Sequence, residues 1–391
     1  MKKFGLFYTD EYLKYSLGPL HPMNPKRIAA SISLLNYTLR DQDEFALIAP
    51  NTVDPSVLEI AHSVEYIETM KKLSNPETNS SSELRDKGIA DYGIGTSDCP
   101  VFDHMAEVAE LIVGSTLKAG EEIMKGTFSK TFVMLAGLHH ASRERASGFC
   151  YYNDINVTIH RLKKLHPGTK ILYVDTDLHA GDGVNYEFFR DPEVLTFSIH
   201  ESGKYLFPGN CFSNEVGLKE GEGYAINFPT FPFTYDELYV ELLENYLPPI
   251  TESYNPDLII WQAGVDGHAD DPLGHLMLTT ETYSKLGLLI AKLGEQMDTP
   301  KVLSLGGGGY NPISVAKSWF AEINSLAGVD QLKVAPNEWI DKCRNELDIE
   351  MPKNLLDEPI QMHKKEKDEI LDETEDLKAE FEKNLSPYWS F

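Results

Sequence analysis

The chain predicts an α/β fold, a mainly parallel sheet with helices on both faces. Short apolar runs alternate with helical periodicities up to about residue 330, the mark of successive βα units. Several of these runs lack polar alternation, so their strands are expected to be covered on both sides. Composition agrees, since 42% hydrophobic and 25% charged residues in 391 suit a globular protein. That length admits two or three domains at about 150 residues each, or one large α/β domain.

The strands expected are FGLFY (4–8), TFVMLA (131–136), KILYVD (170–175), VLTFSI (194–199), YAINF (224–228), LIIWQAG (258–264) and VLSLG (302–306). A first helix begins at Asn24-Pro25, a capping residue followed by proline at the first helical position. Others fit 103–124, 152–165, 234–247, 280–296 and 312–327. The stretch from Asn75 to Asp98, with SNPETNSSSE and GIGTSD, reads as a long polar loop of the kind that is usually functional or disordered. Beyond about residue 330 the chain becomes densely charged. There Ile370, Leu377, Phe381 and Leu385 recur at helical spacing, so an amphipathic helix is expected to lay this stripe on the body of the protein. The division expected is 1–330 for the main domain and 331–391 for a charged helical extension docked on it.

Charge narrows the partners. Lys+Arg number 35 against 61 Asp+Glu, a net charge of −26, which opposes nucleic-acid binding through a basic surface and favours cationic ligands. Cys99, Cys150, Cys211 and Cys343 have no CxxC spacing, so neither a disulfide framework nor a thiolate zinc site is expected, and a reducing compartment is. No continuous apolar stretch of signal-peptide length precedes Asp10 and Glu11, and no window reaches the roughly 18 apolar residues of a membrane span. The expected location is the cytoplasm, or the nucleus in a cell that has one; oligomeric state stays open.

In an open parallel sheet the ligand crevice lies beyond the carboxyl ends of the strands, so the residues following each run carry the functional information. TFVMLA leads to His139 and His140, KILYV to Asp175, Asp177, His179 and Asp182, LIIWQAG to Asp266, and VLSL to Gly306–Gly309 and Tyr310. Asp177 and His179, two apart, share a face of extended chain. Asp266 from another strand would complete an Asp/His/Asp set with one position open, as catalytic zinc requires. The oxygen-rich set also suits ferrous iron, cobalt or manganese. The tandem histidines suit proton transfer, with Asp175 and Asp182 as the carboxylates available for their far nitrogens. Four glycines allow close backbone approach before Tyr310. A phosphate-cradling loop would want the GxxxxGK[ST] lysine, which is missing.

On these residues, together with HPMNPKR (21–27), SDCPVFD (97–103), LHHASRERASGFCYYND (138–154), ILYVDTDLHAGDGV (171–184), FPG (207–209), DGHADDPLG (266–274) and LGGGGY (305–310), the chain resembles zinc-dependent histone deacetylases of the class I and acetoin-utilisation-protein type. The resemblance implies an arginase/deacetylase-type single domain around an eight-stranded parallel sheet. It implies metal-dependent hydrolysis of acetyl amides, foremost N-acetyl-lysine in proteins. Acetylpolyamines or other small cationic acetylamides are the alternative substrates, and a catalytically silent acyl-lysine reader or scaffold is the alternative without catalysis.

Residue by residue, the resemblance assigns Asp177, His179 and Asp266 to one Zn2+, with Fe2+ or another divalent ion as the variant. It assigns His139 and His140 to proton transfer with Asp175 and Asp182 as partners, and Tyr310 to polarising the substrate carbonyl. Phe149 and Phe207 match the walls of the acyl-lysine tunnel, with Gly148 and Leu273 nearby. Asp98 matches the rim aspartate that grips the substrate backbone, and Arg27 the arginine of the cavity where acetate leaves. Asp175, Asp177, His179 and Ser198 correspond to a structural K+ or Na+ site. The sequence departs from the family at Ala180, where a histidine usually follows the metal histidine. It departs again at Asn24, Pro272 and Ile313, where members that bind inositol phosphates carry basic residues. An inositol phosphate pocket is therefore not expected.

Overall fold

The computed structural model describes residues 3–40, 42–43, 45–297 and 301–391. Its strands are β1 (Lys3–Phe7), β2 (Phe45–Ile48), β3 (Phe128–Val133), β4 (Ile171–Asp175), β5 (Val194–Glu201), β6 (Ala225–Thr230), β7 (Leu258–Gln262) and β8 (Val302–Leu305). They form one eight-stranded sheet in the order β2-β1-β3-β8-β7-β4-β5-β6, and every pairing is parallel. β4 and β7 are buried along their whole length, as continuous apolar runs between two helical layers must be. On one face α4 (Met105–Met124) packs with α5 (Asp154–Leu165); on the other lie α1 (Lys26–Leu35), α8 (Thr280–Gln296) and α9 (Pro312–Ala327).

The register decides where the function sits. Val133, Leu305, Gln262, Asp175 and Ser198 are successive partners across β3, β8, β7, β4 and β5. The carboxyl ends of the four strands expected to deliver site residues therefore fall in one row.

Several expectations are corrected. β2 was not foreseen, nor was α2 (Val64–Ser74). The stretch from Asn75 to Asp98 is not loop throughout, because α3 (Ser82–Tyr92) occupies its middle. Ser81 caps that helix by accepting from the Leu84 N–H (3.3 Å), and Gly93 closes it in the left-handed region (φ 69°). The first strand of the row, β3, starts at Phe128 and stops at Val133, leaving Met134–Ala136 to the loop. The helix α7 (Asp236–Tyr254) runs on through Pro248 and Pro249, since Ile250, Thr251 and Tyr254 are buried beyond them.

Further helices are α6 (Asp182–Glu187), α10 (Asn337–Lys342) and α11 (Lys364–Leu385). The apolar stripe of α11 faces inward: Phe381 lies 4.7 Å from Phe228 and 4.8 Å from Tyr246 between ring centroids. Past its end, the Trp389 indole donates to the Gly223 carbonyl (2.6 Å). Among the described residues no helix is long and apolar enough to cross a membrane.

Candidate active site

β3 runs out into the loop bearing the two histidines, and the start of α5 pins that loop. Asp154 accepts from the N–H groups of Leu138 (2.8 Å) and Gly137 (3.0 Å), and Asn153 Nδ2 donates to the Ala141 carbonyl (2.9 Å). The imidazoles are thereby held with their Nε2 atoms 3.1 Å apart. Each far nitrogen meets a carboxylate: His139 Nδ1 lies 2.8 Å from Asp175 Oδ2, and His140 Nδ1 lies 2.8 Å from Asp182 Oδ1. Burial opposes charge on both rings, yet Asp175 and Asp177 hold His139 up at about 9. His140 is pushed down by burial and by His139 beside it. The two rings are thus driven apart in basicity, His139 toward the charged form and His140 toward the neutral one.

Asp177 and His179 follow β4, and Asp266 follows β7, the neighbouring strand. One donor atom from each lies within 4.8 Å of the others. His179 Nδ1 is 3.0 Å from Asp266 Oδ2 and 3.3 Å from Asp177 Oδ1. The remaining oxygens are tied down. Asp177 Oδ2 accepts from Gln262 Nε2 (2.7 Å) and Gly308 N–H (2.8 Å), and Asp266 Oδ1 accepts from Leu178 N–H (2.9 Å). Although burial opposes it, the two carboxylates hold the His179 imidazole up at about 10. That is the negative field a divalent cation would neutralise.

The donor set fits such an ion in number and type, and the backbone leaves room for it. A Cβ on Gly308 would fall 2.2 Å from Asp266 Oδ2 and 2.7 Å from Asp177 Oδ2. Gly308→Ala is therefore expected to displace the carboxylates. Elemental analysis of the gently purified variant should find well under half an ion per chain where the parent holds about one, with the circular dichroism of the fold retained.

Asp175 serves more than His139, since it also accepts from the Tyr173 hydroxyl (2.7 Å) and the Asp177 N–H (3.1 Å). Ser198 stands beside it on β5, its hydroxyl bonded to His200 Nδ1 (2.8 Å). The Gly306–Gly309 loop is no phosphate cradle, because the N–H groups of Gly306, Gly307 and Gly308 donate to Val133, Ala136 and Asp177. Arg27, buried and over the Trp319 ring, donates to the carbonyls of Gly307 (3.0 Å) and Gly309 (2.9 Å) from the opposite side.

The approach to this centre is walled by aromatics. The Phe149 ring meets Tyr310 edge-on at 5.4 Å, and Phe207 meets His140 at 4.9 Å. Phe149 sits at φ 67°, a conformation costly for a bulky residue. It is held there by Tyr15, whose hydroxyl donates to its carbonyl, and by the paired Ser147 and Cys150 backbones. Gly148 packs flat on His140, where a Cβ would fall 2.2 Å from the ring. Asp98 accepts from the Gly148 N–H (2.9 Å) and so ties its own loop to the Gly148–Phe149 segment.

Three contributors escape a reading of the motifs. Gln262 ends an apolar strand, and that buried polar residue was the available signal. Asp271 accepts from the N–H groups of Tyr310 (2.7 Å) and Leu273 (3.0 Å), tying the two backbones together. Asp357, far away in the extension, bonds His268 Nε2 (3.0 Å), Thr280 N–H (3.0 Å) and Lys317. It anchors the loop that begins at Asp266.

Residues 21–326 match the family described as Histone deacetylase domain. The chain belongs to the histone deacetylase family. The deacetylase is 35% identical over 358 residues to the acetoin utilization protein AcuC of Bacillus subtilis, covering 91% of this chain and 90% of that protein. It is 32% identical to AcuC of Staphylococcus xylosus over 356 residues, 90% of each chain. Among solved structures it resembles an HDAC homolog complexed with SAHA, with a TM-score of 0.83 and 28% identity over 98% of this chain and all of that one. An HDAC homolog from Aquifex aeolicus gives a TM-score of 0.81 at 28% identity, covering 95% of this chain and 99% of the other. The likeness spans the extension as well as the sheet. As a deacetylase, the protein acts on an acetylated amide and is expected to use a divalent metal, typically zinc in this family.

Proposed function

We propose that this deacetylase removes acetyl groups from N-acetyl-lysine side chains of proteins, with one Zn2+ held by Asp177, His179 and Asp266; Fe2+ suits the same donors. The observation that carries this reading is the convergence of two imidazole–carboxylate pairs, a three-donor metal cluster and Tyr310 beneath aromatic walls. A bound ion there supplies a Lewis acid that polarises the acetyl carbonyl and lowers the pKa of water.

The chain's own groups do the rest. Asp182 fixes the His140 tautomer so that Nε2 takes the proton of the attacking water. A proton returns to the leaving lysine amine from His139 or His140, whose Nε2 atoms lie 3.1 Å apart. Tyr310 donates its hydroxyl to the oxyanion as it develops. Phe149 and Phe207, with Gly148 and Leu273, enclose the acyl-lysine stem. Arg27 supplies the positive charge toward which acetate leaves. A K+ or Na+ among Asp175, Asp177, His179 and Ser198 would brace the carboxylate row. Four buried free cysteines support a reducing, cytoplasmic setting.

A reader that only held acyl-lysine would have no use for Tyr310 or the His–Asp pairs. Small acetylamides remain the competing substrates, and Asp98 discriminates between them and proteins. One of its oxygens holds Gly148; the other is left for the backbone amides of a peptide substrate. Asp98→Ala should lower kcat/KM on acetyl-lysine peptides by several-fold to about 100-fold, the scale of one or two charge-assisted hydrogen bonds. Acetylpolyamines, which have no flanking amides, should lose much less. Equal losses on both would refute the peptide-gripping role. Across wild-type kcat/KM values, a preference for acetylpolyamines over every acetyl-lysine peptide would overturn the protein-substrate reading.

A further inference from the structure

Between α11 and the turn at 231–233 lies a half-open cavity of about 520 Å3. Its floor is apolar: Tyr205, Phe231, Phe233 and Met277 face Met362 and Ile370. Its rim is acidic, formed by Glu366, Glu369 and Glu373 on successive turns of α11, and among the described residues no lysine or arginine lines it. Phe233 and Tyr205 keep 54% and 51% of their surface exposed, unusual for two large aromatic residues sharing one cavity. Phe233 is held out at φ 67° by donating its N–H to the His275 carbonyl (2.8 Å). That is backbone strain the rest of the loop must offset.

The cavity adjoins the tunnel mouth. Tyr205 is two residues from Phe207, within about 7 Å along the chain, and Met277 is four from Leu273, within about 14 Å. An extended peptide whose acetyl-lysine enters the tunnel therefore passes the cavity about two to five residues away. Apolar walls with carboxylates above them complement one kind of group, an ammonium or guanidinium on an apolar stem. Glu366 is already committed, accepting from the His363 N–H (3.0 Å), and Glu369 meets only the exposed Lys365 (3.3 Å), a surface pair that is cheap to exchange, so Glu373 and Glu369 are the recognising pair.

We infer that this cavity is a specificity subsite for a lysine or arginine side chain flanking the acetyl-lysine in a protein substrate. The inference rests on the protein-lysine reading above. It also gives the C-terminal helix a role in choosing substrates. Acetylputrescine has as many bonds between its acetyl nitrogen and its ammonium as a lysine has between Nζ and Cα, so its cation ends at the tunnel mouth and should not feel the subsite.

The test compares kcat/KM of the full chain and of the Glu369→Gln/Glu373→Gln variant at low ionic strength. Substrates are acetyl-lysine peptides with arginine or glutamine placed two to five residues from the acetyl-lysine, and acetylputrescine. The parent should favour one arginine register by about threefold or more, the scale of exposed ion pairs. The variant should lose that preference while its rate on the glutamine peptides is unchanged. Phe233→Ala should also reduce the preference, by removing the wall on which the stem lies. A preference absent in the parent, or intact in the Glu variant, overturns the subsite. So does an acetylputrescine rate that falls with the variant, since the substitutions would then act on the centre and not on a flanking side chain. If the parent cleaves none of the peptides, the protein-substrate reading itself has failed. If it cleaves them without regard to register, only the subsite has.

Discussion

Asp177→Ala is expected to leave no measurable deacetylation, a fall in kcat/KM of at least about 10³-fold. The substitution removes one of three donors to the ion, whose electrostatic contribution is several kcal/mol at about 1.4 kcal/mol per tenfold in rate. It also takes the acceptor from the Gly308 N–H and leaves the Gln262 amide only its longer bond to the Gly137 carbonyl (3.3 Å). Buried donors left without acceptors cost about 1–3 kcal/mol each, so lower stability is expected beside the loss of turnover. Asp177→Asn separates the two effects. It preserves the volume, and inactivity accompanied by loss of bound metal, with most of the melting temperature retained, would locate the defect at the ion. A variant keeping a tenth or more of the parental rate would contradict the assignment.

Tyr310→Phe should reduce kcat by about 10²-fold or more with little change in KM. The phenyl ring keeps the edge contact with Phe149 at 5.4 Å, so the tunnel wall stays in place. The Tyr310 backbone also stays fixed by Asp271. Only the hydroxyl is lost, and burial keeps that hydroxyl protonated, as a donor must be. An unchanged kcat would show that the oxyanion is stabilised elsewhere. A raised KM with kcat intact would make Tyr310 a binding group instead.

The central strands and the chemistry at their ends were legible because both are local. ILYVD and LIIWQ are apolar without interruption, and the residues after them announce themselves by type. β2 was not legible, since FALI is four residues long and only partly buried at the sheet edge. α3 was hidden by its own polarity, even though a serine cap and a closing glycine stood at its ends. The pairing of each histidine with its carboxylate was foreshadowed only as a choice between Asp175 and Asp182. It took the register of β4 against its neighbours to seat Asp175 under His139. Asp271 and Asp357 show the limit most clearly. Their partners are backbone N–H groups and side chains up to 89 residues away, and no spacing rule connects such positions. The extension was expected to dock by its apolar stripe, but the anchoring of the active-site loop by Asp357 comes from a segment with no periodicity.

The most direct test of a metal-dependent acetyl-lysine hydrolase is stoichiometric. Acetate and free lysine ε-amine released from one acetyl-lysine peptide should be measured before metal removal, after removal by chelation and dialysis, and after adding back one equivalent of Zn2+. The account predicts equal amounts of the two products, loss of both on metal removal, and their return with the added ion. Undiminished acetate release from protein shown by elemental analysis to be metal-free would contradict it.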